Sequence, residues 1–270
     1  MMFFVSTGVI GAITLGAPNA SLAMGIQPPV AAQPTSPPDS APIVAPTPAP
    51  VVVHPAPAPA PPVVNPLPTN TTSSTTFKAL WIGHNKDAPN WTLYAEEALQ
   101  AYGPNLLRGP GDMESFCPMY SRLGHQDQLN VWVQLLAGVV DYESGFNPVS
   151  YMTEATMGND PITGAQVISA GLFQLSYQDT PNYKSHVAPG VCVFDYPSDR
   201  KLAMTDIHRT INDPKNNITC AVSIMNYLVG RHGAIAYDSG NYWSTLMPSS
   251  KYGKVSQIKA ITRALPFCKK

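Results

Sequence analysis

The chain has 270 residues, and 17 of its 29 prolines fall within the first 76, where Asp39 is the only charged side chain. A net charge of −1, with no basic run longer than a pair such as Arg200-Lys201, excludes the electrostatic footprint of a nucleic-acid binder. There is no Gly-X-Y repeat, heptad run or second long apolar span, which excludes collagen-like, coiled-coil and polytopic membrane architectures.

The first 23 residues are almost wholly apolar, and their densest stretch, Phe3 to Leu15, is shorter than the roughly 20 residues of a spanning helix. With the small-x-small signal Ser21-Leu22-Ala23, this predicts a secretory signal peptide over residues 1–23 and an exported, periplasmic or extracellular chain. No Lys or Arg precedes the apolar core, the one feature that points instead to an uncleaved anchor. Residues 24–76 alternate Pro, Ala and Val and end in a Thr/Ser tract. Proline fixes φ and removes backbone donors, so this stretch reads as an extended, semi-rigid linker without a packed core. Residues 77–270 remain as the folding unit, 194 residues long, enough for a sizeable core.

That unit reads as mostly helical, with long loops marked by Gly and Pro. A helix is predicted from about Gln126 to Tyr142, because Leu129, Trp132, Val133, Leu136, Val139 and Val140 recur at spacings of three and four. Continuing that stripe lands on Glu143, which Gly145 and Pro148 leave at the helix C-terminus. The negative end of the helix dipole and apolar neighbours both disfavour an ionised carboxylate there. A glutamate with a raised pKa is what a general acid needs near neutral pH. The plain alternative is a solvated residue of the last turn. Four cysteines (Cys117, Cys192, Cys220, Cys268) form no C-x-x-C pair, so in an exported chain they predict two disulfides, with all three pairings open. The six histidines show no metal-ligand spacing, and neither a metal nor a cofactor is expected.

Glu143-Ser144-Gly145-Phe146-Asn147-Pro148 resembles the "ES" motif of the goose-type lysozyme and lytic transglycosylase superfamily. Gly171-Leu172-Phe173-Gln174-Leu175-Ser176 resembles its second motif, Asn217-Ile218 its third, and Ala236-Tyr237-Asp238-Ser239-Gly240 its fourth. Four elements in the right order are far more specific than any one of them. The resemblance implies a mostly α, lysozyme-like α+β fold: a single compact helical domain with a long glycan-binding groove. It implies Glu143 as the catalytic acid, protonating the oxygen between N-acetylmuramic acid and N-acetylglucosamine. Ser144 would support the helix end, Gln174 would hydrogen bond in the groove, and Tyr237 would sit near Glu143 and position or polarise it. Asn217 would cap its helix and orient the motif loop.

The departures carry information of their own. Glu143 and Gly171 stand 28 residues apart, farther than the family's usual spacing, and the extra segment, Tyr151–Val167, is expected to form a loop over one end of the groove. Ser150 and Thr153 are candidates for the family's Ser/Thr orienting group. Phe173 replaces a common Met, Ile224 a Tyr and Asp238 an Asn; at Ser176 goose-type lysozymes carry Asp. A lysozyme adds water at the anomeric carbon, whereas a lytic transglycosylase uses the sugar's 6-hydroxyl and leaves a 1,6-anhydro end. Glu154, Asp160 and Asp238 are candidate water-positioning acids, so both reactions stay open. Residues 77–190 hold eleven acids and five bases, while residues 191–270 hold five acids and eleven bases. A carboxylate-rich groove would suit de-N-acetylated peptidoglycan, whose sugars bear free amines. The partner expected is therefore a peptidoglycan glycan strand, acted on by a monomer. A catalytically degenerate wall-binding module is the alternative, against which the intact Glu143 argues.

Overall fold

The computed structural model describes residues 77–269; the signal peptide and linker expectations lie outside the described residues. The order is α1 (Ala88–Tyr102), α2 (Pro104–Leu107), α3 (Met113–Phe116), α4 (His125–Ser144), β1 (Tyr151–Thr153), β2 (Ile168–Ala170), α5 (Asp179–Tyr183), α6 (Tyr196–Asp199), α7 (Pro214–His232) and α8 (Val255–Arg263). Single 3-10 turns cover Tyr120–Arg122, Ser244–Leu246 and Pro266–Cys268. Among the described residues no helix is long and apolar enough to cross a membrane.

Helix α4 runs through the centre and is buried all round from Leu129 to Val140, Asn130 and Gln134 included. The stripe expected from the sequence is thus only part of its buried surface, because α1, α2 and α8 pack on different sides of it. Its polar members are bonded, as burial demands: Gln134 Oε1 accepts from Leu80 N at 3.1 Å, and Trp132 Nε1 donates to Leu106 O and Tyr120 Oη. The second long helix, α7, packs against α1 and α2. Pro214 lies at its start, Asp213 Oδ1 accepts from Asn216 N at 2.9 Å, and Gly233 at φ 71° ends it after Arg231 and His232. These are the standard signals for entering and leaving a helix. Asn217, expected as the cap, instead lies inside the first turn, fully buried.

The inserted segment is a hairpin rather than an irregular loop. Strands β1 and β2 pair antiparallel, with Tyr151 opposite Ala170 and Thr153 opposite Ile168, and Asn159 and Gln166 form a further bridge nearer the tip. The disulfides are Cys117–Cys268 and Cys192–Cys220. The first ties the C-terminal turn to the end of α3, and Thr262 Oγ1 on α8 donates to Phe116 O at 2.8 Å beside it.

Candidate active site

Glu143 stands in the last turn of α4. The two residues that follow the helix end both take positive φ, Gly145 at 58° and Phe146 at 62°, which reverses the chain just beyond the carboxylate. Phe146 is buried and packs on His84 with ring centroids 4.5 Å apart, so tertiary contacts hold a conformation that costs an ordinary residue about 1–3 kcal/mol. Ser144 supports the helix end as expected, its Oγ donating to Val140 O at 3.2 Å.

Burial, with a smaller push from the charge of Glu154, raises the Glu143 carboxyl to about 7 against the hydrogen bond that Thr245 donates to Oε1 at 2.7 Å. That value suits a group that must hold a proton near neutrality and release it during reaction. Glu154 follows β1 directly and is fixed twice: its N donates to Val167 O at 2.9 Å, and Ser169 Oγ on β2 donates to its Oε1 at 2.6 Å. The hairpin therefore delivers a second, oriented carboxylate to the neighbourhood of Glu143. The hydroxyl that orients it is Ser169, not Ser150 or Thr153.

The second motif is a tight loop locked from three sides. Ala170 and Leu175 exchange two backbone bonds of 2.9 and 2.7 Å, and Gly171 N donates to Ser150 O at 2.9 Å. Asn217 spans it from α7, accepting from Phe173 N at 2.8 Å and donating to Ala170 O and Ile211 O. It orients the motif loop as expected, although it does not cap the helix. Trp243 Nε1 donates to Phe173 O at 3.0 Å. Gln174, at φ 50° and 8 % exposed, gives its amide hydrogens to Ser150 O and Gly171 O. Its amide oxygen has no partner among the described residues and is the atom left for a ligand.

Three sequence expectations need correction. Tyr237 gives Glu143 no hydrogen bond: its ring stacks on His232 at 4.2 Å, and its buried hydroxyl has no hydrogen-bond partner. The side chain that bonds Glu143 is Thr245, in the 3-10 turn beyond the fourth motif. Asp160 is 1 % exposed and spends both carboxylate oxygens on backbone, Oδ1 on Ile162 N and Thr163 N and Oδ2 on Gln178 N, so it shapes the hairpin instead of positioning water. Asp238 is exposed and accepts from Ser249 N at 2.7 Å, which holds its carboxyl below the usual range and ties two surface loops together.

Asp179, which no sequence pattern singles out, is almost fully buried next to the second motif. Its Oδ2 accepts from Ser176 N at 2.7 Å and Tyr242 Oη at 2.6 Å, and burial lifts its carboxyl to about 6. Among the described residues no three His, Cys, Asp or Glu side chains converge to hold a metal ion.

A central helix that ends in a half-buried glutamate, flanked by a small hairpin and a clamped Gly-Leu-Phe-Gln loop, defines a lysozyme-like glycosidase. The family model for the transglycosylase SLT domain matches residues 123–248, which hold all four motifs. No curated protein matches the chain. The solved structure of wild-type DslA is similar at 30% identity and a TM-score of 0.59, over 73% of this chain and all of that one. Two glutamate-to-glutamine variants of DslA match at 30% identity, with TM-scores of 0.58 and 0.56, over 71% of this chain and 97% of each. The chain belongs to the SLT-like superfamily of lytic transglycosylases and goose-type lysozymes, whose substrate is peptidoglycan.

Proposed function

We propose that the protein is an exported muramidase that hydrolyses the β-1,4 bond between N-acetylmuramic acid and N-acetylglucosamine, with Glu143 as general acid and Glu154 as the carboxylate that activates water. The observation that carries this reading is the pairing of a half-buried Glu143, its carboxyl raised to about 7, with a Ser169-oriented Glu154 whose charge it feels. A carboxyl of raised pKa beside a second, oriented carboxylate is the arrangement that acid and base roles in glycoside cleavage require. Glu143 would give its proton to the bridging oxygen as the bond to the anomeric carbon breaks. Glu154 would take the proton of the attacking water. Both disulfides agree with export to an oxidising compartment.

The same pair favours de-N-acetylated glycan. The charge of Glu154 beside the proton-holding Glu143 makes the groove negative, and a free ammonium on a sugar ring would offset it, whereas an acetamide would not. Mass spectrometry of products from native and chemically de-N-acetylated peptidoglycan tests both statements. Products heavier by one water support hydrolysis, and 1,6-anhydro ends overturn it. Faster cleavage of the de-N-acetylated wall supports the preference, and faster cleavage of native wall overturns it. If neither wall is cut, the chain is a wall-binding module.

A further inference from the structure

A cavity of about 240 Å³ that does not include Glu143 lies behind the inserted hairpin, between the segment Asp160–Ile168 and residues 177–209. A water molecule's share of the liquid is about 30 Å³, so the space suits an amino-acid-sized group. Its floor holds Arg209, a guanidinium only 3 % exposed. Among the described residues no carboxylate lies within ion-pair distance of it. Nε and one terminal nitrogen donate to Tyr177 Oη at 3.2 and 2.9 Å, and the other terminal nitrogen donates to Leu202 O at 3.0 Å. A guanidinium has five N–H donors, so one on each terminal nitrogen is left without an acceptor. The buried carboxylate of Asp199 meets this cation only through the shared Tyr177 hydroxyl, which donates to Asp199 Oδ2 at 2.9 Å, so the two free N–H groups still lack an acceptor of their own. The acid in the wall, Asp160, has both oxygens bound to backbone N–H groups. Arg200 stands exposed at the rim and adds a second positive charge.

We infer that this cavity is a second substrate pocket that receives a carboxylate-bearing residue of the peptide stem attached to the glycan, with the carboxylate on Arg209 and Arg200 at the entrance. The ligand class rests on the peptidoglycan reading above; the anion site itself rests on Arg209 and the cavity. The planar fork of Arg209 matches a carboxylate in two parallel bonds. The hairpin joins this pocket to the reacting bond, because one segment carries both Glu154 and the cavity wall from Asp160 to Ile168. The insertion would then read the peptide as well as orient the second acid.

The test compares wall fragments that keep their stem peptides with the same fragments stripped by an amidase, using the full chain and the variants Ala165→Leu, which fills the cavity, and Arg200→Gln. Arg209 itself is left intact because it supports Tyr177. The wild type is expected to show a KM about tenfold lower on peptide-bearing strands, the size of one charge-assisted contact. Both variants should lose that preference while cleaving stripped strands as the wild type does. Equal KM values in the wild type, or variants slowed equally on both substrates, overturn the inference. Calorimetric titration of a free stem tetrapeptide and its C-terminal amide is independent of cleavage. Binding of the acid that weakens in the amide and in Ala165→Leu supports the pocket even if no wall is cut. Absence of binding, or equal binding of the amide, overturns it even if cleavage is robust.

Discussion

Thr245 and Glu143 lie 102 residues apart in sequence and are joined by a 2.7 Å hydrogen bond from the threonine hydroxyl to the carboxylate. A hydroxyl that donates to a carboxylate stabilises its ionised form, so this bond opposes the upward push of burial on Glu143. The Thr245 turn is held by Lys254 N, which donates to Thr245 O at 2.8 Å. The proton affinity of the acid therefore depends on a loop that carries no family motif.

Thr245→Val should raise the Glu143 pKa above about 7 and shift the alkaline limb of the pH–rate profile upward, while Thr245→Ser should keep it in place. A profile unmoved by the valine variant would show that the bond does not tune the acid.

Glu154→Gln should do the opposite to that limb, since it removes a negative charge that raises the Glu143 pKa. It should also lower hydrolysis on the order of 100-fold, the contribution of a positioned acid–base group. Ser169→Ala, which frees Glu154 Oε1, should give a smaller loss of the same kind. Equal turnover in Glu154→Gln and wild type would leave Glu143 acting alone.

Glu143→Gln should abolish cleavage and stabilise the fold at high pH. A carboxyl raised from its ordinary 4.5 to about 7 in the fold opposes folding once it must ionise. The penalty is absent below pH 4.5, grows through the interval and is complete above pH 7. At about 1.4 kcal/mol per pKa unit, the variant should gain at most about 3 kcal/mol at pH 8 and nothing at pH 4. Urea melts of both proteins at the two pH values check the sign.

Gly171→Ala should be among the most damaging single substitutions. Gly171 has φ 79°, and a Cβ there would stand 2.3 Å from Asn217 Nδ2 and 2.8 Å from Ile211 O. Left-handed strain and collision with a buried clamp together should cost about 3 kcal/mol or more, read as a lowered Tm with impaired turnover.

The central helix and its glutamate were legible because a helical stripe and a Gly-x-x-Pro stop are local signals. The motif loop was legible through its composition, and Asn217 through its place beside Ile218, although its role proved to be loop bonding. The stack of Tyr237 on His232 was not legible, because a motif position fixes the backbone loop, while the direction of a ring depends on neighbours that no local pattern announces. Asp160 and Asp238 were read as free acids, yet each satisfies backbone N–H groups, the ordinary fate of an aspartate in a turn. Thr245, Ser169 and Asp179 went unseen because each acts through a contact set only by tertiary packing. The two disulfide pairings were equally beyond reach, since spacing does not choose among partners.

The bond from Cys117 to Cys268 spans 151 residues and encloses α4, the hairpin, the motif loop, α7 and the Thr245 turn in a single covalent ring. A protease that nicks the exposed hairpin tip therefore opens the ring without releasing either piece. The halves would stay joined through the cystine on a non-reducing gel and separate only after reduction. The chain can thus take one cut in an exposed segment and still keep its acid, its clamp and its orienting hydroxyl on one molecule.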